Sequence, residues 1–127
     1  MILVLKVGKK EGEAGLFEKS LIKKVKFRVD KTLSSKILEN IKKALSESYK
    51  ELRDLESIIL SVDPDTFSSQ RIAITAVNSF YLTYEIPLCL VKKGKTLQEI
   101  FKDAKKGLKN EYLKPVYFKK PNITLAR

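Results

Sequence analysis

The residues that could carry out chemistry are few. The 127-residue chain contains no histidine and a single cysteine, Cys89. Without an imidazole base, neither a Ser-His-Asp nor a Cys-His nucleophile can be assembled, and an ordinary zinc site lacks its ligands. Cys89 lies inside the apolar run of residues 86–91, where a buried structural thiol is commoner than a nucleophile. The composition therefore predicts a protein that is not an enzyme and holds no metal.

Asp63 and Asp65 form an acidic pair that could bind one cation. A ribonuclease H-type nuclease needs several carboxylates at the sheet, and the first strand offers none, so the pair is interpreted as turn-forming. Ser68 and Ser69 have no histidine partner and are interpreted as helix caps. Arg71 lies at a helix start, where a cation is disfavoured, which indicates either an ion pair with Asp63 or Asp65 or a contact with a partner, and the internal ion pair is the preferred interpretation.

The formal net charge is +11, and nearly all of it comes from lysine. Such a charge predicts attraction to a polyanion such as RNA, but a solvated lysine-rich surface would have the same composition, so both interpretations stay open. The RNA interpretation depends on five lysine pairs and on two aromatic residues available for stacking. They are Lys23-Lys24, Lys42-Lys43, Lys92-Lys93, Lys105-Lys106 and Lys119-Lys120, with Tyr117 and Phe118.

The apolar runs are too short to cross a membrane. Residues 58–62 and 86–91 fall well below the roughly 20 apolar residues that a spanning helix needs. The start of the chain lacks the pattern of a secretory signal peptide. We therefore expect a cytoplasmic protein without membrane contact, folded as one compact unit.

The periodicity of apolar residues predicts eight elements in the order β-β-β-α-β-α-β-α. Alternation of apolar and polar residues marks strands, and spacings of three and four mark helices. Three antiparallel strands followed by helix-separated parallel strands give an α/β fold with a mixed sheet, which is a ribonuclease H-like or actin-like ATPase half-fold. The predicted strands are 2–7, 14–18, 20–29, 55–62 and 86–91, and the helices are 33–52, 68–84 and one that begins with the capping-box pattern at Thr96.

The second predicted helix has an unusual composition. No charged residue occurs between Arg71 and Glu85. A helix with no charged side is normally buried all round, yet the chain is too short to surround a central helix. We therefore expect another polypeptide chain to cover one of its faces.

Residues 61–72, with the strand start at residues 85–88, resemble the TsaB (YeaZ) family. In that family a strand ends in a Gly-Pro-Gly-Ser-Phe-Thr-Gly loop, which is followed by an Arg-Ile helix start, a long apolar helix and a strand with proline near its start. Residues 113–121 resemble the Pro-x-Tyr-(Leu or Val)-Arg-x-Pro ending of the family. The direct matches to the first pattern are Pro64, Phe67, Arg71, Ile72 and Pro87.

The resemblance implies a non-catalytic scaffold subunit. TsaB proteins are pseudoenzymes that bind the related catalytic subunit TsaD and, with the ATPase TsaE, help to place a threonylcarbamoyl group on adenosine (A37) of tRNA. It implies TsaD or a second copy as direct partner, and tRNA contact only through the complex. Two helices form the family's dimer surface, and the residues expected there are Leu38, Ile41, Leu45, Ile74, Asn78, Tyr81 and Leu82.

The sequence departs from the family pattern where actin-like enzymes hold nucleotide. The turn after the first strand reads Lys6-Val7-Gly8 instead of Asp-Thr-(Ser or Ala), and two loop glycines are replaced by aspartate, which adds charge and bulk where phosphate needs bare amides. No cofactor is therefore expected. Residues 1–91 correspond to the first TsaB domain, and residues 92–127 are interpreted as a remnant helix and an extended tail on it. The degenerate loop comprises Asp63, Pro64, Asp65, Phe67, Ser68 and Arg71.

Overall fold

A five-stranded mixed sheet organises the chain. The structure is a computed structural model that describes residues 1–63, 67–91 and 96–108, with backbone alone at residue 67 and residues 104–108. A short 3-10 turn, Leu52–Asp54, precedes the fourth strand. The elements are β1 (Ile2–Val7), β2 (Glu11–Phe17), β3 (Leu21–Arg28), α1 (Leu33–Glu47), β4 (Ser57–Val62), α2 (Phe67–Tyr84), β5 (Leu88–Val91) and α3 (Leu97–Leu108). This order confirms the predicted α/β fold.

The strand order in the sheet is β3-β2-β1-β4-β5. Strands β1, β2 and β3 pair antiparallel through short connections, whereas β4 pairs parallel with both β1 and β5. All six residues of β4 are buried, as expected for a strand covered on both faces. The parallel strands β1, β4 and β5 all begin at the same end of the sheet. Helices α1 and α2 each lead back to that end before β4 and β5, so their C-terminal ends lie together there.

Alternate residues of β1 point into two separate cores. Leu3, Leu5 and Val7 pack with α1 and α2 on one face of the sheet. Val4 packs on the other face with Ile59 and the apolar side of α3. The period of two along a strand therefore assigns each side chain to one of two layers. In the described part of the chain, no helix is long and apolar enough to cross a bilayer.

Helix α3 is held closely against β1 and β2. The rings of Phe17 and Phe101 stack with centroids 4.3 Å apart and planes 10° apart. The predicted capping box is present, since the Thr96 N–H donates to Glu99 Oε1 and the Glu99 N–H donates to Thr96 Oγ1, each at 3.1 Å. Gly15 allows the close approach, because a Cβ there would lie 2.9 Å from a methyl carbon of Leu97.

Helix α1 is shorter than its apolar periodicity predicts. It ends at Glu47, not at residue 52, because Tyr49 adopts the left-handed conformation with φ of 58°. The Lys50 N–H donates to the Leu45 carbonyl at 2.8 Å and the Tyr49 N–H to the Ser46 carbonyl at 3.1 Å, which is a Schellman ending. The side chain of Tyr49 is 96% exposed, so burial of its ring contributes little against the backbone strain.

Other boundaries also differ from the predictions, by one to three residues. Strand β2 begins at Glu11 instead of residue 14, because the hairpin from β1 is tight and the Gly8 N–H donates to the Glu11 carbonyl at 2.9 Å. Strand β3 ends at Arg28, one residue early. Strand β5 begins at Leu88 instead of residue 86, because proline 87 has no N–H for a sheet ladder. The predicted tail, residues 111–127, lies outside the described residues.

A network around Asp30 fixes the start of α1. The backbone N–H and the hydroxyl of Thr32 donate to Asp30 Oδ1 at 2.8 and 2.6 Å, and Lys36 Nζ lies 2.7 Å from Oδ2. Hydrogen bonds from Lys36 and Thr32 hold the pKa of Asp30 well below its ordinary value. Near the other end of α1, Lys23 Nζ lies 2.7 Å from Glu47 Oε1 and lowers the pKa of that carboxyl.

The substitution Tyr49→Gly is expected to stabilise the protein. Removing the Cβ relieves a left-handed strain of about 1–2 kcal/mol, while the added freedom of glycine in the unfolded chain costs about 0.5–1 kcal/mol. The net gain in unfolding free energy is about 0.5–1 kcal/mol, measured by urea denaturation. Tyr49→Ala is the control, because it removes the exposed ring but keeps the Cβ. An equal gain from alanine would refute the backbone explanation.

Acid is expected to loosen both ends of α1. The folded-state pKa values of Asp30 and Glu47 lie below their unfolded values of about 4, so their contribution is complete above that range and is lost as the pH falls through it. The melting temperature should therefore fall as the pH is lowered from about 5 to about 3, on either side of the unfolded pKa values. The double variant Asp30→Asn with Glu47→Gln should have a lower melting temperature at pH 7 and a smaller decrease in acid. An unchanged pH dependence would contradict this assignment.

Candidate functional site

Two regions of the fold are candidate sites. The first is the end of the sheet where the central strands β1 and β4 finish. The Asp63 N–H donates to the Val7 carbonyl at 3.0 Å, which joins the ends of the two strands. Asp63 is 8% exposed, and Val7 is buried in the core shared by α1 and α2. Gly8 enters the hairpin directly. The last residues of β1 therefore bring no carboxylate to this end of the sheet.

The remaining loop residues do not form a described catalytic group. Residues Pro64 and Asp65 lie outside the described part of the chain, as does the side chain of Phe67. Ser68 is exposed within the first turn of α2 and Ser69 follows it, so neither residue precedes the helix as an N-cap would. Among the described residues, no three Cys, Asp or Glu side chains lie together in a metal-binding group. The ion pair of Arg71 with an aspartate stays a prediction.

The second candidate is the outer surface of the α1–α2 pair. Helices α1 and α2 pack against each other and, through their inner sides, against the sheet. Three of the seven residues expected at a partner interface are in the core of this chain: Ile41 is fully buried, and Leu45 and Ile74 are each 3% exposed. These three side chains present no surface to a partner, because they fill the space between the helices and the sheet.

Of the other four expected interface residues, three lie nearer the surface and Asn78 is buried. Leu82 is 68% exposed. Leu38 and Tyr81 are half-buried at the margin of the core. Asn78 is 9% exposed. The structure thus separates the expected set into a buried group and an accessible group in which Leu82 is the most exposed.

An exposed strip along α2 continues from Leu82 toward the start of the helix. Arg71, Thr75, Ser79 and Leu82 are all exposed and are spaced by three or four residues, so they share one helix face, which we call the α2 strip. One face of α2 is therefore left uncovered by the described part of its own chain, as the sequence predicted. That face carries the hydroxyl side chains of Thr75 and Ser79 between Arg71 and Leu82.

The hydroxyl of Ser79 already has a partner inside the helix. Its Oγ donates to the Ala76 carbonyl at 2.6 Å. Burying a hydroxyl with a partner avoids the larger cost of burying one without. Small hydroxyl residues also allow another helix to approach closely. The α2 strip therefore has the properties of a surface that could be covered at low desolvation cost.

The sequence prediction missed Thr75 and Ser79. The signal was available, because these two residues and Leu82 are spaced by four and three, opposite the apolar residues of the same helix. Two exposed tyrosines were also missed as surface residues: Tyr49 is 96% exposed and Tyr84 is 54% exposed. Tyr49 follows α1 and Tyr84 is the last residue of α2, and the two helices finish at the same end of the sheet. Leu82 lies less than one helical turn before Tyr84.

The strand order, the helix pair on one face and the single helix on the other define a ribonuclease H-like fold of the actin-like type. Among solved structures, the chain is similar to YeaZ from Pseudomonas aeruginosa, with a TM-score of 0.65 and 19% identity over 72% of this chain and 43% of that chain. The expectation of a YeaZ-like structure is confirmed at the level of the fold.

A second solved structure has the same fold. It is described as an uncharacterized protein with similarity to peptidase YeaZ, also from Pseudomonas aeruginosa, with a TM-score of 0.61 and 18% identity over 72% of this chain and 42% of that chain. No protein-family model and no curated protein matches the sequence. The chain spans less than half the length of these two structures.

Glutamate substitutions should separate the core from the surface of α2. Ile74→Glu places a carboxylate in the core, where an unpaired charge is severely destabilising. We expect this variant to lose its cooperative unfolding transition. Leu82→Glu adds the same group at an exposed position, and its melting temperature should stay close to that of the parent. Circular dichroism melts of both variants provide the comparison, and a well-folded Ile74→Glu protein would contradict the placement.

Proposed function

We propose that this protein is a non-catalytic partner subunit that binds a related ribonuclease H-like subunit through the α2 strip and the neighbouring surface of α1. The single observation that carries the proposal is the exposed Leu82 on a helix face that has no charged residue between Arg71 and Glu85. Ordinary helix surfaces in water carry charged residues. Depletion of charge around an exposed large apolar side chain is typical of the core of a protein interface.

The YeaZ-like fold supports a specific assignment of the partner. The resemblance to TsaB implies that the partner is the TsaD-type catalytic subunit and that the complex modifies adenosine (A37) of tRNA with a threonylcarbamoyl group. In that complex the present chain would contribute structure, and TsaD would contribute catalysis. Recruitment of TsaE and association of two copies in isolation belong to the same proposal.

The dimensions of the helix pair suit such a role. Helices α1 and α2 have 15 and 18 residues, which corresponds to lengths of about 22 and 27 Å. Two such helices can pack on the equivalent pair of a partner as a four-helix arrangement. The buried residues Ile41, Leu45 and Ile74 would then stiffen the face from beneath, while Leu38, Tyr81 and Leu82 would make the direct contact.

The absence of a carboxylate from β1 supports a role without catalysis. The end of β1 presents Lys6, Val7 and Gly8, and the loop after β4 begins with Asp63 in place of a family glycine. Phosphate binding at such an end of the sheet depends on exposed backbone N–H groups. The Gly8 N–H is already bonded to the Glu11 carbonyl, and the Asp63 N–H to the Val7 carbonyl. We propose that this end of the sheet binds no nucleotide cofactor.

Association should depend on Leu82. We expect the parent protein to co-elute with the TsaD-type subunit of its own source organism, or to form a dimer alone, in size-exclusion chromatography with light scattering. Leu82→Glu would bury an unpaired carboxylate in the interface, and a cost of at least about 2 kcal/mol corresponds to roughly 30-fold weaker binding.

Ile22→Glu is the matched control for this experiment. Ile22 is 42% exposed on β3, away from α2, and the substitution makes the same change in charge. It should leave the association unchanged. Equal weakening by both variants would show that net charge, and not the α2 strip, controls binding. A parent protein that stays monomeric at high concentration and does not bind the TsaD-type subunit would exclude the proposed function.

A further inference from the structure

The positive charge of the chain is concentrated in two segments. Residues 1–31 contain nine Lys and Arg against four Asp and Glu, and residues 102–127 contain eight against two. Residues 32–101, which include α1 and α2, contain nine of each and are neutral overall. The net charge of +11 therefore comes entirely from the antiparallel strands with their turns and from the segment that begins within α3.

The fold places part of this charge on one side of the sheet. Along β3, Val25 and Phe27 point into the core shared by α1 and α2. Lys24, Lys26 and Arg28 alternate with them and are exposed on the opposite face, where α3 also packs. We call these three residues the β3 strip. The neutral helix pair and the β3 strip thus lie on opposite faces of the sheet.

The β3 strip forms a regular row of cations. Alternate residues of a strand are about 7 Å apart, and the pairing with β2 holds the row rigid. Glu13 lies across from Lys26 and has a carboxylate oxygen 3.9 Å from both Lys24 Nζ and Lys26 Nζ. Glu11 lies across from Arg28, and Lys6 lies beside Glu13 on β1. The three cations of the β3 strip and Lys6 thus face only the carboxylates of Glu11 and Glu13. The two ion-pair distances to Glu13 are long.

We propose that the β3 strip binds the phosphate backbone of a nucleic acid. Rigid, exposed cations attract phosphates, and the release of condensed counterions drives the association. Lysine gives little base readout, so the contact would be with the backbone and independent of sequence. An anionic membrane is the weaker fit, because β3 carries one exposed large apolar side chain, Ile22, where an interfacial anchor needs a broad apolar face.

Protection of a sheet edge explains only part of this pattern. Strand β3 is an edge strand of the sheet, and lysines on an edge strand discourage pairing with other chains. That role accounts for charge on β3 itself. It does not account for the separate excess of Lys and Arg in residues 102–127. The proposal stands apart from the α2 strip, because the two surfaces share no residue and need no common partner.

Two charge-matched double variants test the proposal. A fluorescein-labelled single-stranded RNA oligomer is titrated with the full chain, and binding is followed by anisotropy over a range of salt concentrations. Lys24→Gln with Lys26→Gln removes two phosphate contacts, which should lower the slope of log K against log salt by about 1.4 and weaken binding about 25-fold at 0.1 M salt.

Lys42→Gln with Lys43→Gln makes the same change in net charge on the exposed surface of α1. Screening limits its long-range effect on the β3 strip, so the loss should be about twofold or less. Equal losses in the two variants would overturn the proposal in favour of net charge alone. Failure of the parent protein to bind RNA at low salt would also overturn it, and so would binding only to phosphatidylserine vesicles. Loss of the TsaD-type association affects none of these readouts.

Discussion

The structure depends on one constraint: the central strands are apolar on both faces, so the sheet must be covered on both faces. Leu3, Val4 and Leu5 are fully buried although consecutive residues point in opposite directions. At about 25 cal/mol per Å² of apolar surface, leaving either face open to water would remove much of the stability of a chain this short. Two helices meet the requirement on one face. A single helix, anchored by the stacked rings of Phe17 and Phe101, packs on the other.

The unequal covering of the two faces gives the molecule two different sides. The helix pair is broad enough to bury its apolar residues and still present an outer surface of its own, the α2 strip. The single helix α3 packs near Phe17 and Val4 and leaves the outward row of β3 in solvent. Because that row is not needed for the core, it is free to carry charge. The neutral and basic surfaces are therefore consequences of how the sheet is covered.

The apolar run of residues 2–7 predicted the bounds of β1, and the structure adds that its residues alternate between two buried faces. The spacing of Leu52 continued the helical pattern of α1 past its true end, because periodicity does not detect the left-handed backbone at Tyr49. The site was harder to predict. An apolar stripe that faces a sheet and one that faces a partner have the same spacing, so Ile41 and Ile74 were expected at an interface although they lie in the core. The segments that carry the net charge can be read from the sequence. Only the register of β3 shows that Lys24, Lys26 and Arg28 lie on one face of the sheet.

Binding at the α2 strip and binding at the β3 strip should respond differently to salt, because the first is mainly an apolar contact and the second is mainly electrostatic. A contact made by Leu82 and the hydroxyl residues beside it involves few charges, so screening has little effect on it, and salts that strengthen apolar burial favour it. Attraction of phosphates to the β3 strip should decline steeply as salt rises, because each counterion released into a more concentrated solution gains less entropy. A subunit built in this way could keep its protein partner through a range of ionic strength in which its hold on nucleic acid changes by orders of magnitude. The opposite faces of one sheet would then provide a permanent contact and an adjustable one without any conformational change.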